Sequence, residues 1–269
     1  PLFIFGIGPF PEMGIMGAAV ATSIGRGIAV VYQFYLLFRG NHRIRLYFDS
    51  LKIKVKVMLQ LLEISGGGIL QNIIATSSWI LLVRIIAISG PEAMAGYTIA
   101  IRIVMFALLP AWGLSNAAST LVGQNLGAKR PERAEKSVWI TGYVNMAMMG
   151  IVGIFLSVFP EIFIRLFISD PAVVEYGKLS LRIISYGFLF YALGMVMIQG
   201  FNGSGDTITP TKINLFCFWF FEIPAAYLLA VVFNMGLTGA SIAIVCAESL
   251  LAVVAFILFR KGKWKSREV

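Results

Sequence analysis

The chain has 269 residues, of which 58% are hydrophobic and only 13% are charged, and its formal net charge is +9. A soluble domain carries about 25% charged residues, so the composition excludes an ordinary soluble protein. The basic residues lie in a few loops between long apolar blocks, which agrees with the positive-inside rule and argues against a nucleic-acid partner. The sequence therefore predicts an all-α, polytopic membrane helix bundle.

Seven apolar blocks are each long enough to cross a hydrocarbon core of about 30 Å. In chain order they are residues 14–38, 57–89, 93–122, 138–159, 173–201, 213–233 and 237–259. The second block is longer than one span needs, so we expect it to tilt or to bend near its glycines 66–68. Pro110 predicts a kink in the third block.

The loops between these blocks alternate in charge. Segments 39–56, 129–136 and 260–267 are strongly basic and fall on one side of a seven-span arrangement, whereas the connections at 90–92 and 160–171 are not basic overall. Basic loops accumulate in the cytoplasm. We therefore expect a multi-pass protein of the plasma (cytoplasmic) membrane, with its N-terminus outside and its C-terminus cytoplasmic.

Two stretches of the sequence resemble each other. GIMGAAVA (14–21) and GLTGASIA (236–243) both begin a span that runs from outside to inside. Repeats of the same orientation are a known transporter plan. On this hypothesis the first span ends one repeat, the next six spans form a second, and the chain begins partway through a larger protein.

Six motifs together are similar to one transporter family. They are GPFPEMGIMGAAVAT (8–22), GGGILQN (66–72), AGYTIAIR (95–102), VGQNLGAKRPERA (122–134), GFNGSGDT (200–207) and PAAYLL (224–229). Their order and spacing resemble the multidrug and toxic compound extrusion (MATE) transporters over nearly the whole chain. The resemblance implies a twelve-helix, two-lobed antiporter that exports organic cations and other amphipathic compounds against a sodium or proton gradient.

The resemblance also implies a domain organisation. Residues 1–38 would be the last helix of the N-terminal lobe with its preceding external loop, 39–56 a cytoplasmic inter-lobe linker, 57–259 the C-terminal six-helix lobe and 260–269 a basic cytoplasmic tail. The expected partners are a small amphipathic or cationic substrate, the lipid bilayer and the missing N-terminal lobe of the same protein, with no nucleic acid. Apart from a coupling sodium ion or proton, no cofactor is expected.

The sequence departs from the family pattern at the acids. Several sodium-coupled members carry carboxylates within the second and fifth of these spans, but residues 71–79 and 186–199 contain none. A sodium site of that type is therefore not expected in this lobe. A flippase for lipid-linked saccharides stays as an alternative function, although it should need more cationic residues around its central cavity.

Three carboxylates are the candidates for ion coupling. Glu222 and Glu248 lie near the middle of their spans, where a charge costs about 2.5–3.5 kcal/mol, so either could bind a proton or cation. The favoured alternative is a structural ion pair with Arg102 or Arg182. The third candidate, Glu63, is near the cytoplasmic end of its span, where an exposed acid is common.

The candidates for substrate contact are amides, aromatic residues and soft side chains. They are Gln71, Asn72, Arg102, Trp112, Tyr186 and Met195. The two buried amides could contact substrate or ion, or join neighbouring helices. Aromatic and methionine side chains suit promiscuous binding of cations. Asn116, Gln199 and Asn202 are expected to join helices.

Other classes of function and site fit less well. An integral-membrane enzyme would need clustered His, Asp or Ser, and a non-transporting scaffold would not explain Glu222 and Glu248. Cys217 and Cys246 lie in apolar blocks without a CxxC pattern, and the single His42 is in a basic loop. No catalytic residue, metal site or disulfide is therefore expected.

Overall fold

The computed structural model describes residues 2–39 and 54–266, except the side chains of Gln60, Glu63, Ile64 and Ser266. Within these ranges the chain forms helices and turns and no strand. The helices are α1 (Leu2–Phe5), α2 (Gly14–Arg39), α3 (Val55–Ala87), α4 (Pro91–Gly127), α5 (Pro131–Val158), α6 (Pro160–Arg165), α7 (Pro171–Tyr186), α8 (Phe188–Gly203), α9 (Ile208–Val232) and α10 (Gly236–Arg260), followed by a 3₁₀ turn (Lys263–Ser266). Most of the predicted linker 39–56 lies outside the described residues.

The predicted membrane spans agree with the helices. Helices α2, α3, α4, α5, α9 and α10 are each long and apolar enough to cross a membrane, and α7 with α8 makes a seventh span if the pair crosses together. The predicted block 173–201 is not one straight helix, because α7 and α8 meet at Gly187 with a bend of 56°. Glycine is a poor helix former, and a Cβ at Gly187 would lie 3.1 Å from Val245 Cγ1 on α10.

Helix α3 runs without a break through glycines 66–68. Gly67 instead permits close packing on the start of α9, since an added Cβ would lie 2.6 Å from the Thr207 Cβ. The Thr211 hydroxyl donates a 3.1 Å hydrogen bond to the Gly67 carbonyl at the same contact. Gly67 therefore serves a helix crossing.

Prolines mark where several helices begin. Helices α4, α5, α6 and α7 each start at a proline, whose fixed φ suits the first helical position and whose missing N–H is not needed there. Asp170 caps α7, because its carboxylate accepts hydrogen bonds from the backbone N–H groups of Ala172 (2.9 Å) and Val173 (3.2 Å).

Helix α9 is wider than an ordinary α-helix in two segments. Its residues Leu215–Glu222 and Leu228–Val232 have π-helical hydrogen bonding, on either side of an α-helical turn that contains Pro224. Proline removes a backbone donor and crowds the preceding turn, and a wider turn relieves both problems. Such segments are frequent at functional sites, and the first one here ends at Glu222.

The chain divides into two compact units, residues 1–60 and 61–269. In the first, α1 folds against the start of α2, where the Met13 N–H donates to the Phe3 carbonyl (3.0 Å) and the Phe3 and Phe10 rings meet edge to face. In the second, α4 packs against α5, α7 and α8, and α10 packs against α7, α8 and α9. The predicted lobe begins at residue 57 and ends at 259, so this unit starts later and also takes in the predicted tail; the division into lobes stays a prediction.

The predicted basic tail begins with a turn that is folded onto the second unit. Trp264 is only 1% exposed, stacks on Phe259 at 4.6 Å between ring centroids and donates a 3.0 Å hydrogen bond to the Phe259 carbonyl. Lys265 pairs with Glu135 at the start of α5. The turn therefore belongs to the core at this end of the unit.

Candidate functional site

A cavity of ≈ 180 Å³ lies among the helices of the second unit and contains two carboxylates, Glu222 and Glu248. We call it the acid cavity. Its other lining residues are apolar or aromatic, and the aromatic ones are Trp79, Tyr97, Trp112, Tyr191 and Phe218. Two of the three predicted ion-coupling residues are thus brought together from α9 and α10.

One of the carboxylates has a hydroxyl partner. Glu222 is 7% exposed, and its Oε2 accepts a 3.1 Å hydrogen bond from Ser78 Oγ on α3. Glu248 is partly buried, and Tyr191 of α8 lines the same cavity. Hydrogen bonds to a charged group are stronger than those between neutral groups, so the Ser78 hydroxyl helps to hold the Glu222 carboxylate in an apolar surrounding.

The structural ion pair that the sequence favoured is not formed. Arg102 is exposed and does not line the acid cavity, and Arg182 donates from Nε to the Ser157 carbonyl at 3.1 Å. Among the described residues, neither Glu222 nor Glu248 has a cationic partner. Ion pairs of the second unit lie elsewhere, between Glu135 and Lys265, Glu161 and Arg165, Glu161 and Lys178, and Glu175 and Lys178. Acids without a cationic partner in an apolar interior are candidates for a functional role.

A second cavity of ≈ 420 Å³ adjoins the first, and we call it the amide cavity. Four predicted substrate contacts, Gln71, Asn72, Trp112 and Met195, all line it. Further lining residues are Gly68, Ala75, Ser115, Ile198, Gln199, Asn202, Thr207 and Asn214. The structure therefore gathers most of the predicted contacts into one polar but uncharged space.

A chain of side-chain amides runs along this cavity. Gln71 Nε2 donates to Asn202 Oδ1 and to the Thr207 carbonyl, both at 3.2 Å, and Asn202 Nδ2 donates to Gln199 Oε1 at 3.1 Å. Gln199 Nε2 in turn donates to Asn116 Oδ1 at 3.0 Å. Gln71 thus joins helices and also lines the cavity, and its contact with substrate or ion stays a prediction.

Two predicted residues, Tyr186 and Arg102, are not brought to these cavities. Tyr186 is 64% exposed and lines a separate groove beside Ser157 and Phe188, and Arg102 lies outside both cavities. The side chain of Glu63 falls outside the part of the chain that the structure describes. Their proposed roles therefore gain no support from position.

Sequence reasoning missed the hydroxyl partner of Glu222. Ser78 was not singled out, although Gln71, Ala75 and Ser78 follow the i, i+4, i+7 spacing of one helix face. That spacing explains why one face of α3 lines the amide cavity at Gln71 and Ala75 and reaches Glu222 at Ser78. Tyr97 also lines the acid cavity, and nothing in its local sequence distinguishes it from other aromatic residues.

The spans and their helix bundle define a multi-pass helical membrane protein. Residues 68–228 match the MatE family model, which is more than half of the chain, and the chain belongs to the MatE family. Members of this family are transporters and not enzymes.

Two curated relatives illustrate the similarity. The chain is 30% identical over 266 residues to the probable multidrug resistance protein NorM of Thermotoga maritima, covering 99% of this chain and 57% of that protein. It is 28% identical over 264 residues to the FAD transporter of Shewanella oneidensis, covering 97% of this chain and 57% of that one. The chain thus spans a little over half the length of these relatives.

Solved structures share the fold. A MOP superfamily transporter from Pyrococcus furiosus matches with a TM-score of 0.87 at 21% identity, over 97% of this chain and 58% of that one. An outward-facing multidrug resistance MATE family transporter matches with a TM-score of 0.88 at 21% identity and the same coverage. These matches agree with the predicted all-α membrane bundle.

Proposed function

We propose that the protein containing this chain is a cation-coupled antiporter, driven by protons or sodium, that exports organic cations and other amphipathic drugs. The observation that carries the proposal is the acid cavity, where Glu222 and Glu248 lie together without a cationic partner among the described residues. In this proposal residues 57–259 form one lobe, which works with an N-terminal lobe of the same protein by alternating access.

The proposed mechanism uses exchange at the carboxylates. An ionised carboxylate in an apolar interior is costly, so Glu222 and Glu248 favour a bound proton or sodium ion while no other cation is present. When that ion leaves down its gradient, the same carboxylates attract a cationic substrate. Each occupied state biases the lobes to open toward one side of the membrane. In this proposal the basic loops and the C-terminus lie in the cytoplasm.

The lining of the two cavities disfavours the alternative function. A flippase for lipid-linked saccharides would need cationic groups to bind a pyrophosphate, but the described lining residues include two carboxylates and several amides and no Lys or Arg. A carboxylate close to a phosphate would repel it. Substrates nevertheless vary among the relatives, one of which is named an FAD transporter.

The test is transport by the full-length protein in proteoliposomes. Uptake of a fluorescent organic cation is measured under an imposed sodium gradient and then under a proton gradient. We expect one gradient to drive movement, and Glu222→Gln or Glu248→Gln to abolish the dependence on it. If the organic cation moved under neither gradient, this result would contradict the proposal and favour the flippase.

Glu161→Gln is the matched control for loss of a carboxylate. A hydrogen bond from Arg165, with the charge of that residue, holds the pKa of Glu161 below its usual value, so this acid is ionised at neutral pH. It is exposed and lies outside both cavities. We expect Glu161→Gln to transport like the original protein.

A further inference from the structure

The acid cavity is too small for a whole drug. Sites for drug-sized ligands measure about 300–1,000 Å³, whereas this cavity measures ≈ 180 Å³. A water molecule takes up about 30 Å³ of the liquid, so the space equals that of a few waters. Only an ion or one compact group of a larger molecule fits there.

The chemistry of the acid cavity selects a cationic group. Beside the two carboxylates it presents the rings of Trp79, Tyr97 and Tyr191. Aromatic faces attract ammonium groups, and quaternary ammonium groups in particular are bound by aromatic cages. The Tyr97 hydroxyl is buried and makes no hydrogen bond of normal geometry in the described lobe, so it can also accept one from an N–H of the ligand.

The amide cavity has the complementary properties. Its volume of ≈ 420 Å³ lies within the range for drug-sized ligands, and its amides, Met195 and Trp112 offer hydrogen bonds and apolar contact without charge. Ala75 and Trp112 line both cavities. The two spaces therefore meet at this pair, with a methyl group on one side and an indole ring on the other.

From this arrangement we infer that one substrate occupies both cavities, with a compact ammonium head in the acid cavity and an uncharged body in the amide cavity. The inference rests on the proposed export of organic cations and narrows its substrate class. Amphipathic molecules with a small, localised positive charge fit the acid cavity. Cations whose charge is buried inside a bulky aromatic shell do not, because the shell exceeds the ≈ 180 Å³ of that cavity.

Two probes distinguish these classes by equilibrium binding to the full-length protein in lipid nanodiscs. Phenyltrimethylammonium carries a compact head, and tetraphenylphosphonium carries a shielded, bulky one. We expect Glu248→Gln to lower the affinity for phenyltrimethylammonium by about tenfold or more, since close charge pairs contribute about 1.5 kcal/mol or more to binding. The affinity for tetraphenylphosphonium should change by less than about twofold, because its shielded charge does not enter the cavity that contains Glu248. Glu248→Asp keeps the charge and should retain most of the affinity.

Trp112→Ala provides a gain of function as a second readout. Removing the indole opens the acid cavity into the amide cavity, so tetraphenylphosphonium should then bind more tightly and become sensitive to Glu248→Gln. Trp112→Phe keeps a ring at this position and should keep the original selectivity. A folding defect would lower the affinity for both probes and would not produce this gain.

The other outcomes overturn the inference in recognisable ways. If Glu248→Gln lowered the affinity for both probes equally, head size would not matter. If it lowered the affinity for neither, the head would bind elsewhere. The proposed export of cations could stand in both cases. If neither probe bound the unaltered protein at all, the proposed export of organic cations would fail together with the inference.

Discussion

Ser78 on α3 donates a 3.1 Å hydrogen bond to the carboxylate of Glu222 on α9, and both residues are buried. The Ser78 hydroxyl also lies 3.4 Å from the Phe218 carbonyl one turn before Glu222. This contact joins the helix that lines both cavities to the π-helical segment of α9. It ties the position of one candidate coupling acid to the position of α3.

Ser78→Ala tests that relationship. Hydrogen bonds to charged groups contribute about 1.5–3 kcal/mol, and the deletion also leaves a buried carboxylate oxygen without its partner. We expect a lower midpoint of thermal unfolding in detergent and slower ion-driven uptake in proteoliposomes.

Ser77→Ala is the control for this change on the neighbouring residue. The Ser77 hydroxyl donates to the Ile73 carbonyl of its own helix and accepts from the exposed Trp219 indole, so it does not support a carboxylate. We expect a small effect. Equal losses in the two variants would refute a special role for the bond between Ser78 and Glu222.

Gly67→Ala should destabilise the protein, whereas Gly66→Ala should not. The added methyl at Gly67 meets the Thr207 side chain, with the two Cβ atoms 2.6 Å apart, and overpacking typically costs about 1–3 kcal/mol. At Gly66 nothing lies within 4 Å, and alanine is the better helix former by about 0.5–1 kcal/mol. Thermal unfolding of the two variants should therefore shift in opposite directions. If Gly66→Ala were destabilised as well, that result would contradict the assignment of Gly67 as the point where α3 crosses the start of α9.

The sequence predicted the helices better than the cavities for a physical reason. Each span is a local property, since about 20 consecutive apolar residues are enough to indicate it. At the bend, Gly187 packs closely on Val245 of α10, and no local pattern reveals this contact. The pairing of Glu222 with Ser78 joins residues far apart in the sequence, so only their mid-span positions were predictable. The expected partners among the arginines were wrong for the same reason.

Trp264→Ala should destabilise the second unit although it lies close to the end of the described chain. Replacing a buried tryptophan by alanine typically costs about 3–5 kcal/mol, and here it also removes the ring stacked on Phe259 and the hydrogen bond to the Phe259 carbonyl. Trp264→Phe retains the stacking and should recover part of the loss. Unfolding midpoints in detergent measure both changes. If Trp264→Ala had the same midpoint as the original protein, this turn would not be part of the core.

Asn202→Ala interrupts the amide chain between Gln71 and Gln199. Asn202 accepts from one of these side chains and donates to the other, so its removal leaves a buried Gln71 amide with only the Thr207 carbonyl to bind. An unsatisfied buried polar group costs about 1–3 kcal/mol, and the substitution also enlarges the amide cavity next to the proposed substrate body.

The expected result of Asn202→Ala has two parts that separate packing from recognition. The free energy of unfolding should fall by about 1–3 kcal/mol. The affinity for phenyltrimethylammonium should fall less than in Glu248→Gln, because the charged head still has its carboxylate. Asn125→Ala is the control, since Asn125 Nδ2 donates to the Leu121 carbonyl of its own helix at 2.8 Å and lines neither cavity. If Asn202→Ala abolished binding as fully as the loss of Glu248, the amide cavity would hold the charged group and the assignment of the two cavities would have to be reversed.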